Sequence, residues 1–228
     1  MKVSAIIVAA GSSRRMGFDK LEADLDGESV VARSMMAFQD CTEVTEIRVV
    51  TSADKIELIE ATAQGLGLSK FVEAIEGGAE RYLSVNAGLS RVDPGIDLVA
   101  VHDAARPLVS SQAISRCAAE ARQCGAAVLA HRVSDTLKRG SADDLVAAAV
   151  SRENLWAMET PQIFQTSLLK EAYQAVMDRG ELVTDEVSAM EAIGRSVRLV
   201  ENLEPNLKIT VPGDLTVAEA VLKNRSKN

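Results

Sequence analysis

Short apolar runs recur along this chain, each followed by a helix-like stretch, and that alternation constrains the fold more than any other feature. Residues 4–9, 47–51, 70–75, 98–101 and 126–130 read as strands. Residues 30–39, 54–66, 80–91 and 111–123 read as the helices between them. Strands that are apolar throughout must be covered on both faces. The pattern therefore predicts an α/β fold, a mostly parallel sheet with helices on both sides. Open sheets of this kind bind ligands beyond the carboxyl ends of their strands. Three chemically interesting groups follow strand ends here: residues 11–20, the pair Gly77-Gly78, and residues 102–107.

The chain has 228 residues, room for one domain with a large core. Aromatics make up only 3%, so the core is aliphatic, and stacking platforms for single-stranded nucleic acid are not expected. The net charge of -8 supplies no basic field toward nucleic acid or an anionic membrane. No apolar run is long enough to span a membrane, and the chain enters its first strand without a signal-peptide layout. The three cysteines, Cys41, Cys117 and Cys124, form no CxxC pair. They read as small buried hydrophobes of a reducing compartment, and a cytoplasmic protein is expected.

The apolar run 3–10 breaks at Gly11 into a loop that carries Arg14, Arg15 and then Lys20. Bare backbone N–H groups beside Arg and Lys make a site for a polyanion. The loop lacks the Gly-Lys-Ser/Thr of a Walker A loop and the interleaved glycines of GxGxxG. An ordinary turn with a solvated basic loop is the alternative. Asp103 lies just past a strand end, where an aspartate can hold a divalent metal; a helix cap or turn is its blander role. Arg106 and Pro107 follow. Gly77-Gly78, ahead of Glu80, Arg81 and Ser84, would let backbone approach a flat ligand such as a base. Lys208, between apolar neighbours in residues 206–210, either points into a cleft or lies exposed on an edge strand. No Ser-His-Asp or Cys-His arrangement and no His/Cys metal cage is legible.

Residues 132–158 break the alternation and read as a β-hairpin arm projecting from the sheet. Leu137, Val146, Val150, Leu155 and Trp156 are its candidate contacts, either with a partner subunit or with the arm's own domain. Helices near 167–179 and 185–193, a strand at 197–200 and a final amphipathic helix from Asp214 complete the chain. Thr184-Asp185-Glu186 suits a helix start.

The motifs AAGSSRRMG…K (9–20), GGAERYLSV (77–85), VHDAARP (101–107), DTLKR (135–139), TPQ (160–162), TDE (184–186) and NLKIT…DL (206–215) together resemble the 2-C-methyl-D-erythritol 4-phosphate cytidylyltransferase family. The resemblance covers nearly the whole chain. It implies a Rossmann-like, GT-A-like nucleotidyltransferase sheet in a single domain, 1–228. It also implies a reaction of CTP with a phosphorylated polyol, aided by Mg²⁺ or another divalent cation, in a homodimer joined through the β-arm. Carried over by position, Arg15, Lys20 and Lys208 would be catalytic. Ala9, Ala10, Gly11, Gly78, Arg81 and Ser84 would bind the nucleotide. Asp103, Arg106, Thr136, Arg152, Thr160 and Thr184 would bind the acceptor, with Asp103 also at the metal. The chain departs from the family's usual loop at Asp19-Lys20-Leu21, two residues short of many members. A cytidylyltransferase for another alcohol phosphate such as ribitol 5-phosphate, and a non-catalytic nucleotide-binding relative, are the competing readings.

Overall fold

The computed structural model describes residues 1–11 and 17–225. From the amino terminus the chain forms strand β1 (Val3–Val8), a two-stranded ribbon of β2 (Asp24–Leu25) and β3 (Glu28–Ser29), and helix α1 (Val30–Gln39). Strand β4 (Val44–Thr51), helix α2 (Ile56–Gly65), strand β5 (Phe71–Glu76), helix α3 (Arg81–Ser90) and strand β6 (Leu98–Asp103) continue the alternation. Helix α4 (Ser111–Cys124) leads into β7 (Ala126–Arg132), then β8 (Leu137–Gly140), β9 (Val146–Val150) and β10 (Trp156–Gln165). Helices α5 (Thr166–Arg179) and α6 (Glu186–Ala192), strand β11 (Arg198–Glu201) and helix α7 (Pro212–Arg225) close the fold.

Seven strands build one sheet in the order β11-β7-β10-β6-β1-β4-β5. Every pairing is parallel except the two made by β10, which runs antiparallel to both β6 and β7. Successive side chains of a strand face opposite ways. On β6, Leu98 and Ala100 enter one core with α1, α2 and α4, while Val99 and Val101 enter a second with α3, α5 and α6. Side-chain oxygens cap three helices: Ser29 accepts from Ala32 N at 3.2 Å, Ser110 from Ala113 N at 3.1 Å, and Asp185 from Ser188 N at 3.0 Å. Leu215, Ala218, Val221 and Leu222 turn one side of α7 onto the first core. β1 pairs β4 on one side and β6 on the other, so the chain leaves the sheet centre in both directions from there. Such a switch point opens a crevice at the strands' carboxyl ends.

Three expectations change. The irregular segment is not hairpin to its end: β8 and β9 pair as a separate ribbon, whereas Trp156 opens β10 inside the main sheet. Trp156 lies under Arg132, whose guanidinium is 4.3 Å from a ring centroid, and Leu145 and Val146 of the ribbon are exposed. Residues 206–210 form no strand; the backbone is instead pinned where Ile209 N donates to Ala105 O at 2.7 Å. Cys41 and Cys117 are buried as expected, but Cys124 is exposed at the end of α4.

Candidate active site

The carboxyl ends of β1 and β6 open into a cavity of about 400 Å³. Ala9, Ala10 and Gly11 continue β1 along its wall, with Lys20 and Leu21 beside them. Gly78, Arg81 and Ser84 form the facing wall, and Asp103, Ala105 and Lys208 complete it. The two glycines are dictated by space. A Cβ on Gly77 would meet Ser84 Oγ at 2.7 Å and Ala10 Cβ at 2.8 Å, and one on Gly78 would meet Leu83 Cβ at 2.4 Å. Ser84 is buried, and its hydroxyl accepts from Gly78 N at 3.1 Å. It therefore shapes the glycine loop, and the loop's backbone faces the cavity.

Charge inside the cavity alternates in sign. Asp103 Oδ1 accepts from Arg81 Nε at 3.1 Å, and Oδ2 from Lys208 Nζ at 2.6 Å. The other face of Arg81 is bidentate on Glu186, at 2.7 and 3.0 Å. Burial works against the Asp103 charge, yet Arg81 and then Lys208 outweigh it and hold the carboxyl well below the usual carboxylate range. Burial likewise opposes the charge on Arg81, and Glu186 and Asp103 overcome it. Lys20 Nζ donates to Ile209 O at 3.0 Å, which ties the first loop to the segment carrying Lys208. Asp19, the acid next to Lys20, is paired with Lys55, and its Oδ1 accepts from Leu21 N at 2.9 Å.

Behind Asp103 lies a relay. β10 pairs with β7 up to Met158 and again from Gln162, and the residues between them leave the ladder. There Thr160 Oγ1 accepts from Asp103 N at 3.1 Å and lies 3.0 Å from His102 Nδ1. His102 Nε2 lies 3.2 Å from Arg106 O, which can only accept. This assigns a neutral ring with its proton on Nε2, receiving the Thr160 hydroxyl proton at Nδ1. Burial pushes the His102 pKa down from 6.5 to about 4. Between those values the unfolded chain binds a proton that the folded chain refuses, so His102 destabilises the fold progressively as pH falls from 6.5 to 4. Urea unfolding of the wild type and of His102→Gln across that window tests this. The stability curves should converge or cross toward pH 4, and parallel curves would refute it.

The sequence-derived site residues are only partly brought together. Ala9, Ala10, Gly11, Lys20, Gly78, Arg81, Ser84, Asp103 and Lys208 share the cavity. Arg15 lies outside the described residues. Thr160 is buried and spends its hydroxyl on Asp103 and His102, so here it positions the site from behind. Arg106 donates to Asn206 O at 2.8 Å and Met158 O at 3.2 Å. It lines a neighbouring cavity of about 440 Å³ with His131, Glu159 and Lys208, so Lys208 borders both. Thr136, Arg152 and Thr184 are exposed and line neither cavity; Arg152 donates to Ser134 O at the root of the ribbon. Sequence reasoning missed Glu186 as a partner of Arg81, because it looks like an ordinary first-turn acid. It also missed the Glu159 cluster, in which the buried carboxylate takes His131 at 2.7 Å, Asn202 at 2.9 Å and Asn206 at 2.8 Å.

One carboxylate flanked by cations suits a divalent ion only when phosphates supply most of the ligands. Among the described residues no cluster of three or more His, Cys, Asp or Glu could hold a metal by itself. Mg²⁺ binds in that shared manner, through one or two carboxylates plus substrate phosphates.

Comparison with known proteins bears on the whole chain. Residues 3–224 match the family model described as 2-C-methyl-D-erythritol 4-phosphate cytidylyltransferase. The protein of that name from Alkaliphilus oremlandii is 36% identical over 227 residues, covering 98% of this chain and 96% of that protein. Its counterpart from Synechococcus elongatus is 39% identical over 222 residues, with 96% of each covered. The fold is similar to the crystal structure of 4-diphosphocytidyl-2C-methyl-D-erythritol synthase from Anaerococcus prevotii, with a TM-score of 0.86 at 27% identity over 97% of this chain and 98% of that one. It also resembles the Thermus thermophilus 2-C-methyl-D-erythritol 4-phosphate cytidylyltransferase, with a TM-score of 0.80 at 31% identity over 98% and 100%.

Proposed function

The chain belongs to the 2-C-methyl-D-erythritol 4-phosphate cytidylyltransferase family, and from that membership we propose that it joins CTP to 2-C-methyl-D-erythritol 4-phosphate. The products are 4-diphosphocytidyl-2-C-methyl-D-erythritol and pyrophosphate, a step of non-mevalonate isoprenoid synthesis. The observation that supports this reading best is the meeting of Lys20, Lys208, Arg81 and Asp103 with a backbone-lined glycine loop in one cavity at the switch point.

The chemistry fits those residues. A phosphomonoester has a second pKa near ~6, so it is mostly a dianion at neutral pH and already a nucleophile. It needs no general base. The phosphate oxygen attacks the α-phosphorus of CTP, the new P–O bond forms, and the α–β bridge breaks to release pyrophosphate. What limits the rate is bringing two anions together and holding the charge that builds on the α-phosphate and the leaving group. Lys20 and Arg15 are assigned to the triphosphate, and Lys208, bordering both cavities, to the phosphate oxygens near the reacting phosphorus. Ala9, Ala10, Gly11 and Gly78 would read cytosine through backbone groups. Asp103 would hold Mg²⁺ together with the triphosphate, and the ion would supply positive charge against the phosphates. Among the described residues no helix is long and apolar enough to cross a membrane, and the reading takes the enzyme as cytoplasmic.

The exposed β8–β9 ribbon is assigned to a homodimer, in which Thr136 and Arg152 would reach the acceptor bound by the other subunit, near Arg106, Thr160 and Thr184. If so, Arg152→Ala should raise KM for the alcohol phosphate about tenfold while moving KM for CTP less than about twofold. Equal changes in the two constants would remove the arm from the acceptor site. The function itself is tested by pyrophosphate release with CTP, Mg²⁺ and 2-C-methyl-D-erythritol 4-phosphate, ribitol 5-phosphate or a sugar 1-phosphate. Turnover with the first alone is expected. Turnover with another acceptor would correct the substrate, and silence with all three from folded protein would sink the reading.

A further inference from the structure

Glu186 has no exposed surface, yet it lies at the wall of the site. It is the first residue of α6, and both of its oxygens are taken by Arg81, at 2.7 and 3.0 Å. Tyr173, itself buried on α5, adds a hydrogen bond to Oε1 at 2.9 Å. The start of α6 is clamped to the sheet as well. Gln162 on β10 donates to Asp185 Oδ2 at 3.1 Å and accepts from Val187 N at 3.1 Å. Before it meets Arg81, the carboxylate is thus bonded from α5, and the turn that carries it is bonded from β10. The result is a chain of alternating charge, Glu186, Arg81, Asp103, Lys208, that runs from the interior to the cavity.

The two cations of that chain are not equivalent. Arg81 has Nη1 and Nη2 on Glu186 and Nε on Asp103, so carboxylates already claim three of its nitrogens. Lys208 meets Asp103 through one ammonium, and its side chain is 41% exposed. A polyphosphate entering the cavity can draw Lys208 away with little rearrangement, but not Arg81. Asp103 would then face the phosphates with one side-chain cation still bonded to it, and that cation is Arg81.

We infer that Glu186 is a positioning residue for nucleotidyl transfer: it holds the Arg81 guanidinium on Asp103, so that Asp103 stays in place when Lys208 turns to phosphate. This rests on the cytidylyltransferase reading. It makes Arg81 an internal counter-ion more than a nucleotide ligand, and it gives the buried Tyr173 hydroxyl a purpose in the site.

The test is Glu186→Gln, which keeps the size and one acceptor oxygen but loses the charge and the second acceptor. It is assayed by pyrophosphate release beside the wild type, with thermal melting as a check on folding. The expected result is a drop in kcat of about tenfold or more with KM for CTP within about twofold, because the glycine loop that would read the base is untouched. Tyr173→Phe should move kcat in the same direction by a few-fold. A folded Glu186→Gln enzyme with wild-type kcat overturns the inference, as does a KM for CTP that rises as much as kcat falls. If Glu186→Gln fails to melt cooperatively, Tyr173→Phe decides: lowered kcat at constant KM supports the role, and wild-type kinetics overturn it. A wild type that releases no pyrophosphate with any acceptor overturns the transferase reading and this inference with it. An active wild type with an unaltered variant overturns this inference alone.

Discussion

Replacing Lys208 with alanine should slow turnover about a hundredfold or more, on the order of 3 kcal/mol of barrier, while barely changing the melting temperature. The two halves of that expectation come from the same geometry. Lys208 borders both cavities, so in the proposed reaction its ammonium would lie where charge builds up during transfer. Its side chain is 41% exposed, and Asp103 retains Arg81 when Lys208 is gone. Little packing is lost, and the remaining carboxylate is still paired. Steady-state pyrophosphate release and a thermal melt on the same preparation settle the matter. A kcat within about threefold of wild type would dismiss Lys208 from the chemistry. Arginine at this position should restore only part of the rate, since a broad planar fork does not reproduce a compact ammonium.

Arg81→Met should have the largest effect on stability, about 3 kcal/mol or more, because it leaves the fully buried Glu186 carboxylate without its cation. The lower end of the range for a broken buried pair is appropriate, as the Arg81 side chain is 27% exposed. Urea denaturation of Arg81→Met and of the double variant Arg81→Met/Glu186→Leu gives the comparison. The double variant should recover most of the lost stability, since an apolar pair can replace a buried ion pair at little cost. It should not recover activity, because Asp103 then lacks its inner counter-ion. Equal stabilities of the single variant and the wild type would show that Glu186 is rescued by some other group.

Most of the architecture was legible in the sequence, and for identifiable reasons. Buried strands such as Val3–Val8 and Leu98–Asp103 are short apolar runs, and the helices that follow begin at good caps such as Ser29 and Ser110. Strand ends and glycines pointed to the cavity walls, because backbone that leaves a sheet next to a glycine has few other uses. β10 was not legible. Pro161 argues against a central strand, since it cannot donate to the ladder, and Glu159 looks like a surface residue. The structure accommodates both where β10 leaves its pairing with β7: the residues between Met158 and Gln162 fall outside that register, and Glu159 is buried against His131, Asn202 and Asn206. Glu186 was legible only as the first-turn acid of a helix. Its partner Arg81 is 105 residues away in sequence, and no local pattern carries information over that distance.

The position of β10 also governs the order in which the molecule can come into being. β6 and β7 are its two neighbours in the sheet and do not pair with each other, yet both leave the ribosome before it does. Until residue 165 has emerged, each faces an empty slot with unpaired backbone groups along its edge. The strands β5, β4, β1 and β6 can associate early, since they are parallel neighbours joined by their own helices. When β10 fills the slot, it carries Thr160 to Asp103 and Gln162 to the start of α6. A nascent chain can thus assemble the glycine loop, but the Asp103 backbone gains its Thr160 contact only from the strand that joins the two parts of the sheet. β11 and the segment carrying Lys208 follow later, so filling the slot is a precondition of the site, and a chain stalled before Trp156 would have neither a continuous sheet nor the Thr160 contact to Asp103.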